Sequence, residues 1–346
     1  MLCLAASLRA RVVLPEPEVP TTTIRLFFIF FYLQLINLAM SWKINLVLLF
    51  AKVRKPMDVN KTINLVKLRK ESDRAAKLGT LLFDSKVPVA SVTDTNANGV
   101  PVRIYNNSNH KNQRVIVYYH GGGFALYGIY SHDYVCRRLC AMNNCIVVSV
   151  DYRLAPEHTY PAAHDDAFTA LQWVKQNIGS YGGDANNLVV AGDSAGGNLA
   201  ACMAHRCKAE GIALKAQVLI YPWIDGKLSN PSIDRNGKGY LLEKPTLFWF
   251  QKQYTPRAKD QCAPDLSPCY QTDFSNLAPA IVLTAELDPL IDDGLNYYNQ
   301  LKAAGNKAVY IEYKELFHSF FSLPLVHNSA LQSYTDIKNF LDALPS

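Results

Sequence analysis

The chain has 346 residues, 49% hydrophobic and 18% charged, which suits a globular protein with one large core and excludes a disordered or collagen-like chain. Its formal charge of +6 is lopsided: residues 1–80 hold 13 Lys and Arg against 5 Asp and Glu, the remainder 22 against 24. A near-neutral body offers nucleic acid no electrostatic footprint. Eight cysteines with no C-x-x-C, no H-E-x-x-H and no metal-ligand spacing argue against a disulfide scaffold and a structural metal, and for a reducing, cytoplasmic compartment.

Residues 1–25 show no periodicity and contain three prolines, so residues 1–39 read as a non-catalytic extension. Leu26–Met40 is a 15-residue apolar run, shorter than a spanning helix requires, although residues 26–50 together would suffice if Ser41-Trp42-Lys43 is tolerated. Three readings stay open: a hydrophobic helix packed on the body, a membrane anchor that leaves the body cytoplasmic, or translation that begins at Met40. Residues 40–84 form an N-terminal helical cap element, in which Lys61–Phe83 carries a basic amphipathic pattern.

From residue 85 onward the chain alternates strand and helix patterns. Val89–Thr93 and Val100–Tyr105, joined by Asn96-Ala97-Asn98-Gly99, predict a β-hairpin. Strands follow near Val115–Tyr119, Ile146–Val150, Leu188–Ala191, Val218–Tyr221, Ile281–Ala285 and Val309–Tyr313. Helices fall near His132–Met142, Ala162–Asn177, Ala195–Lys208, Leu290–Ala304 and Ala330–Leu344. The fold class is α/β, a mostly parallel doubly wound sheet. Near residues 223–258 the alternation breaks, and the aromatic helix pattern Lys244–Tyr254 marks an inserted helical cap.

Three features along this order carry chemistry. His120-Gly121-Gly122-Gly123 follows directly on a strand, where glycine amides can face a cavity as oxyanion donors. His120 is read there as a loop anchor. Gly192-Asp193-Ser194-Ala195-Gly196 sits between an apolar strand and an Ala-rich helix, the context in which G-x-S-x-G becomes a nucleophile elbow. Alone, this motif is common. Downstream, Asp288 closes one strand and His318 follows another, in the chain order Ser, Asp, His, both beyond the carboxyl ends of parallel strands. His110, His132, His158, His164, His205 and His327 lie in loop or helix contexts and make poorer bases.

From about Arg114 to Leu344 the chain resembles the hormone-sensitive-lipase-like branch of the α/β-hydrolase fold. The resemblance rests on HGGGF, DYRLAPEHTYPAAHDD (Asp151–Asp166), GDSAGGNLA, AELDPLIDDG (Ala285–Gly294) and FHSF. It implies Ser194 as nucleophile, His318 as general base and acid, Asp288 as its orienter, and Gly122, Gly123 and Ala195 as oxyanion donors. Asp292 and Asp293 resemble structural carboxylates of that branch, Asp193 fits its pattern without a triad role, and Ser319 stands where glycine commonly follows the histidine. The implied activity is hydrolysis of carboxylic esters of short to medium acyl chain through an acyl-enzyme, with no cofactor and a small-molecule ester as partner. A homodimer is left open. Phe124, Tyr127, Trp223 and Phe248 are candidate pocket walls. Two rivals share the scaffold: an amidase resembling arylacetamide deacetylase, and a non-catalytic receptor such as the plant gibberellin receptors, which lack the histidine that this chain keeps as His318.

Overall fold

Runs of Val, Ile and aromatic residues lead the chain repeatedly into one eight-stranded sheet, ordered β1-β2-β4-β3-β5-β6-β7-β8. Its strands are β1 Ser91–Ala97, β2 Val100–Asn106, β3 Gln113–Tyr119, β4 Ile146–Val150, β5 Gly183–Asp193, β6 Ala216–Ile220, β7 Ala280–Leu287 and β8 Ala308–Phe317. Strands β3 to β8 pair in parallel, whereas β1 and β2 form an antiparallel hairpin joined to β4. In this computed structural model, residues 64–72, 74, 87–323 and 328–345 are described, all within one compact unit, Lys43–Ser346.

The first described helix, α1 (residues 65–72), is capped by Asn64, whose side chain accepts from Lys67 N at 3.0 Å. The others are α2 Asp133–Asn143, α3 Ala162–Asn177, α4 Ala195–Ala209, the one-turn α5 Ser232–Arg235, α6 Lys244–Tyr254, α7 Ile291–Ala303 and α8 Asn328–Asp342. Period-two alternation splits the core in two. Val115, Val117 and Tyr119 face the cluster under α3, α4 and α7, while Ile116 and Tyr118 face the one under α2 and α8.

Three boundaries differ from the sequence reading. The hairpin turns on two residues, Asn98 (φ 52°) and Gly99 (φ 102°), as the tight primed turn of an Asn-Gly pair requires. Strand β5 begins at Gly183, well before the apolar run, because its polar start pairs with Gln113 through backbone alone. Strand β8 runs on to Phe317, so the histidine beyond it is delivered straight from a strand end. After Ile220 the chain leaves the sheet and returns only at Ala280, and this insert holds α5 and α6. The extension 1–39, the apolar stretch 26–50, most of the element 40–84 and His327 lie outside the described residues. Among the described residues, no helix is long and apolar enough to cross a membrane.

Candidate active site

The sharp turn between β5 and α4 places Ser194 at its tip with φ 55° and ψ −117°, a conformation that L-residues hold only when the surroundings enforce it. Three backbone bonds enforce it here. Ser194 N donates to Ile220 O at 2.9 Å, and Ser194 O accepts from Asn198 N at 3.0 Å and Trp223 N at 3.1 Å. The glycines make the turn possible. A methyl group on Gly196 would overlap the Tyr119 carbonyl, and one on Gly192 would overlap the Gly196 carbonyl.

The ends of β7 and β8 bring the other two candidates to this tip. His318 Nε2 lies 2.9 Å from Ser194 Oγ, and His318 Nδ1 lies 2.7 Å from Asp288 Oδ2. Asp288 is fully buried, and its Oδ1 accepts from Leu290 N at 2.8 Å, which fixes the carboxylate plane. The His318 ring packs on Tyr221 at 4.6 Å between centroids, a contact with no signature in the sequence. Ser319 adopts φ 74°, which explains why a glycine is favoured at this position.

The glycine loop borders the same tip. Gly122 (φ 110°) and Gly123 (φ 59°) need glycine, and among the described residues no side chain or loop carbonyl accepts from the amides of Gly122, Gly123 or Ala195. His120 anchors this loop: its Nδ1 lies 2.8 Å from Gly121 O and its ring stacks on Tyr152 at 4.2 Å. Burial, reinforced by neighbouring His132, drives its pKa down to about 3, so it stays neutral. His164 and His205 are likewise pushed down to about 4 by burial, and each is hydrogen-bonded to a tyrosine hydroxyl, at 2.8 Å to Tyr254 and 3.1 Å to Tyr297.

Residues 116–322 match the family described as alpha/beta hydrolase fold. The ethyl acetate hydrolase of Pseudomonas putida is 40% identical over 220 residues, 62% of this chain and 69% of that relative. Carboxylesterase NlhH of Mycobacterium tuberculosis is 38% identical over 258 residues, 73% of this chain and 81% of the relative. Among solved structures, a hyperthermophilic esterase from the archaeon Pyrobaculum calidifontis superposes with a TM-score of 0.78 at 36% identity, covering 81% of this chain and 93% of that one. The chain belongs to the α/β-hydrolase family.

Within this α/β-hydrolase, the four candidate wall residues divide. Phe124 and Trp223 are buried and line a cavity of about 10 Å³, room for one water at most. Phe124 stacks on Tyr254 at 4.1 Å, which makes it packing for the insert. Tyr127 is 39% exposed and lies against Gly122. Phe248 is 40% exposed and points to Lys244, whereas Phe250 of the same helix covers Gly123 so closely that a methyl group there would strike its ring. The α6 residue at the glycine loop is therefore Phe250 and not Phe248.

Asp193, beside the candidate nucleophile, links the elbow to the glycine loop. Its Oδ1 accepts from Tyr118 at 2.7 Å and from Gly121 N at 2.9 Å, and lies 3.3 Å from His132 Nε2. Burial alone would raise its pKa, but His132 and the donated hydrogen bonds outweigh burial and hold the carboxyl below its ordinary range. A depressed folded pKa contributes stability above the unfolded value, about 4, that is lost as pH falls through the folded one. Asp193→Asn should therefore cost about 2–3 kcal/mol at pH 7, and the deficit should shrink below about pH 4. Denaturant titrations of both proteins from pH 7 to 3 check this. A gap of constant size would contradict the role given to the charge.

Proposed function

We propose that this α/β-hydrolase cleaves carboxylic esters of short to medium acyl chain by two successive acyl transfers through Ser194. Carboxylic ester hydrolysis is its activity, in keeping with the esterase relatives that it matches over most of its length. The observation that supports the mechanism is the unbroken chain from Ser194 Oγ through His318 to Asp288, at 2.9 and 2.7 Å.

In this reading His318 Nε2 takes the Ser194 proton as Oγ attacks the ester carbonyl. Asp288 holds the Nδ1 proton and steadies the imidazolium that forms. The amides of Gly122, Gly123 and Ala195, the last at the positive end of α4, receive the oxyanion. His318 returns its proton to the leaving alcohol, and water repeats the sequence on the acyl-serine. Residues 223–258 act as the cap. The seven free cysteines among the described residues suit a cytoplasmic setting.

The acyl-length limit rests on enclosure. Ser194 and His318 are 8% and 5% exposed, and α6 lays Phe250 over the glycine loop. Each methylene that enters an enclosed apolar site gains up to about 0.8 kcal/mol, roughly fourfold in kcat/KM. Carbons beyond the enclosure must clash or stay wet. A p-nitrophenyl ester series below the micelle threshold, with a Ser194→Ala control, should peak at roughly four to eight acyl carbons and then fall. The matching anilides should be turned over more slowly. A plateau out to long chains, or a jump in rate on emulsified triglyceride, would refute the enclosed site; faster anilides would make the chain an amidase.

A further inference from the structure

The glycine loop is held from a direction that the triad does not account for. Arg69, on α1, reaches across to two loops with four of its five N–H groups. Its Nε donates to Ala125 O at 2.8 Å, and Nη2 donates to Ala155 O at 2.6 Å. The outer edge of the guanidinium makes a bidentate pair with Glu157, Nη1 to Oε1 at 2.9 Å and Nη2 to Oε2 at 2.8 Å. The Arg69 side chain is 22% exposed.

What it holds is the outgoing limb of the candidate oxyanion loop. Ala125 N and Leu126 N both donate to Gly122 O, at 3.1 and 2.9 Å, so Ala125 closes the turn that sets the Gly122 and Gly123 peptides. Phe124, inside that turn, sits at φ 59° without being glycine, and Phe124 O accepts from Ala155 N at 2.8 Å. Arg69 thus bonds the carbonyl of the residue after Phe124 and the carbonyl of the residue that pairs with Phe124. A strained turn persists only where its surroundings over-determine it. Removing the guanidinium would leave two carbonyls short of a donor at the point where the turn is strained.

We propose that Arg69 is a positioning residue for catalysis: it locks the turn Gly122–Leu126 so that the glycine amides stay aimed at the oxyanion, and Glu157 locks Arg69. The proposal rests on the reading of Gly122 and Gly123 as oxyanion donors. It gives Glu157, in the RLAPEH stretch, a function, and makes α1, within the N-terminal cap element, a buttress of the catalytic machinery. A planar fork can bridge two carbonyls and a carboxylate at once; an ammonium cannot hold the same three acceptors in one plane.

The test compares the full chain with its Arg69→Ala, Arg69→Lys and Glu157→Gln variants on p-nitrophenyl butyrate. It also measures inhibition by an alkylboronic acid, whose tetrahedral serine adduct places an oxygen in the oxyanion site, and the melting midpoint. Misaimed donors lower kcat while leaving ground-state binding alone. Arg69→Ala should therefore lower kcat about 10- to 100-fold with KM within about threefold, and weaken the boronate in step. Arg69→Lys should fall between it and wild type, and Glu157→Gln should lose about two- to fivefold, because both carbonyl bonds remain. A folded Arg69→Ala protein with wild-type kcat would overturn the proposal, as would a change confined to KM with boronate affinity intact. Should the alanine variant not fold, Arg69→Lys decides: wild-type kcat and boronate affinity there would overturn it equally. A wild-type chain that cleaves no ester would instead sink the esterase reading, and this inference with it.

Discussion

Ser194→Ala is expected to lower kcat on p-nitrophenyl esters by roughly 10³-fold or more, with an unchanged melting curve. Among the described residues the hydroxyl lost is hydrogen-bonded to His318 alone, whereas the backbone bonds that hold the elbow are main-chain and survive the change. His318→Ala should cost as much. The double variant should be no worse than either single one, because residues of a triad act as a unit. Asp288→Asn should cost less but still orders of magnitude, since an amide in place of Oδ2 cannot accept the Nδ1 proton reliably. Asp292→Asn is the internal control. That carboxylate accepts from Ser232 N and Arg235 and does not touch the histidine. The wild type should be labelled by a fluorophosphonate and the Ser194→Ala protein should not. A harmful Asp292→Asn beside a harmless Asp288→Asn would show that the acid is misassigned.

Gly196→Ala should be nearly as damaging, by a different route. Its new methyl would overlap the Tyr119 carbonyl and crowd that of His120, both backbone atoms at the end of the central strand β3. No rotamer can relieve a clash with main chain, so α4 must back away from the sheet. Overpacking of this kind costs about 3 kcal/mol, a fall of roughly 6–12 °C in Tm. Whatever folds should lose about 100-fold in kcat, because Ser194 rides on the displaced helix start. Gly179→Ala provides the comparison, since nothing lies within 4 Å of the added methyl and its φ is ordinary. Thermal melts by circular dichroism and steady-state rates on both variants check this. A Gly196→Ala protein with wild-type Tm and rate would refute the close approach.

Much of this arrangement is legible in the amino-acid order for identifiable reasons. Buried parallel strands must be apolar on both faces, so runs such as Ile146–Val150 announce themselves. The elbow and the loop are legible because close backbone approach demands glycine at Gly192, Gly196, Gly122 and Gly123. Illegible features depend on main chain or on helix phase. The start of β5 is polar and pairs through backbone, so Gly183–Asn187 resembles a loop. Helix α6 carries aromatics on several sides, so sequence alone does not say that Phe250 meets Gly123 while Phe248 faces outward. Arg69 lies in a basic amphipathic stretch that resembles a solvated face. Its acceptors at Ala125 and Ala155 are carbonyls, 56 and 86 residues away, and leave no mark on side-chain chemistry.

The root of the insert is tied to the same helix that Ser194 begins. One turn beyond Ser194, Asn198 Nδ2 donates to Trp223 O at 2.8 Å and Leu266 O at 2.6 Å and its Oδ1 accepts from His164 Nε2 at 3.0 Å, while Asp293 of α7 accepts from Ile224 N and Asp225 N at 2.8 Å each. Both ends of the roof are thus fastened to the floor that presents the serine. Under selection or engineering for a different substrate, the roof cannot be raised as a body without tilting the serine as well. Diversity must come from single side chains hung beneath it, Phe250 first among them. A library confined to the inward face of α6 should therefore change acyl preference while keeping turnover, and one that loosens Asn198 or Asp293 should yield few active members.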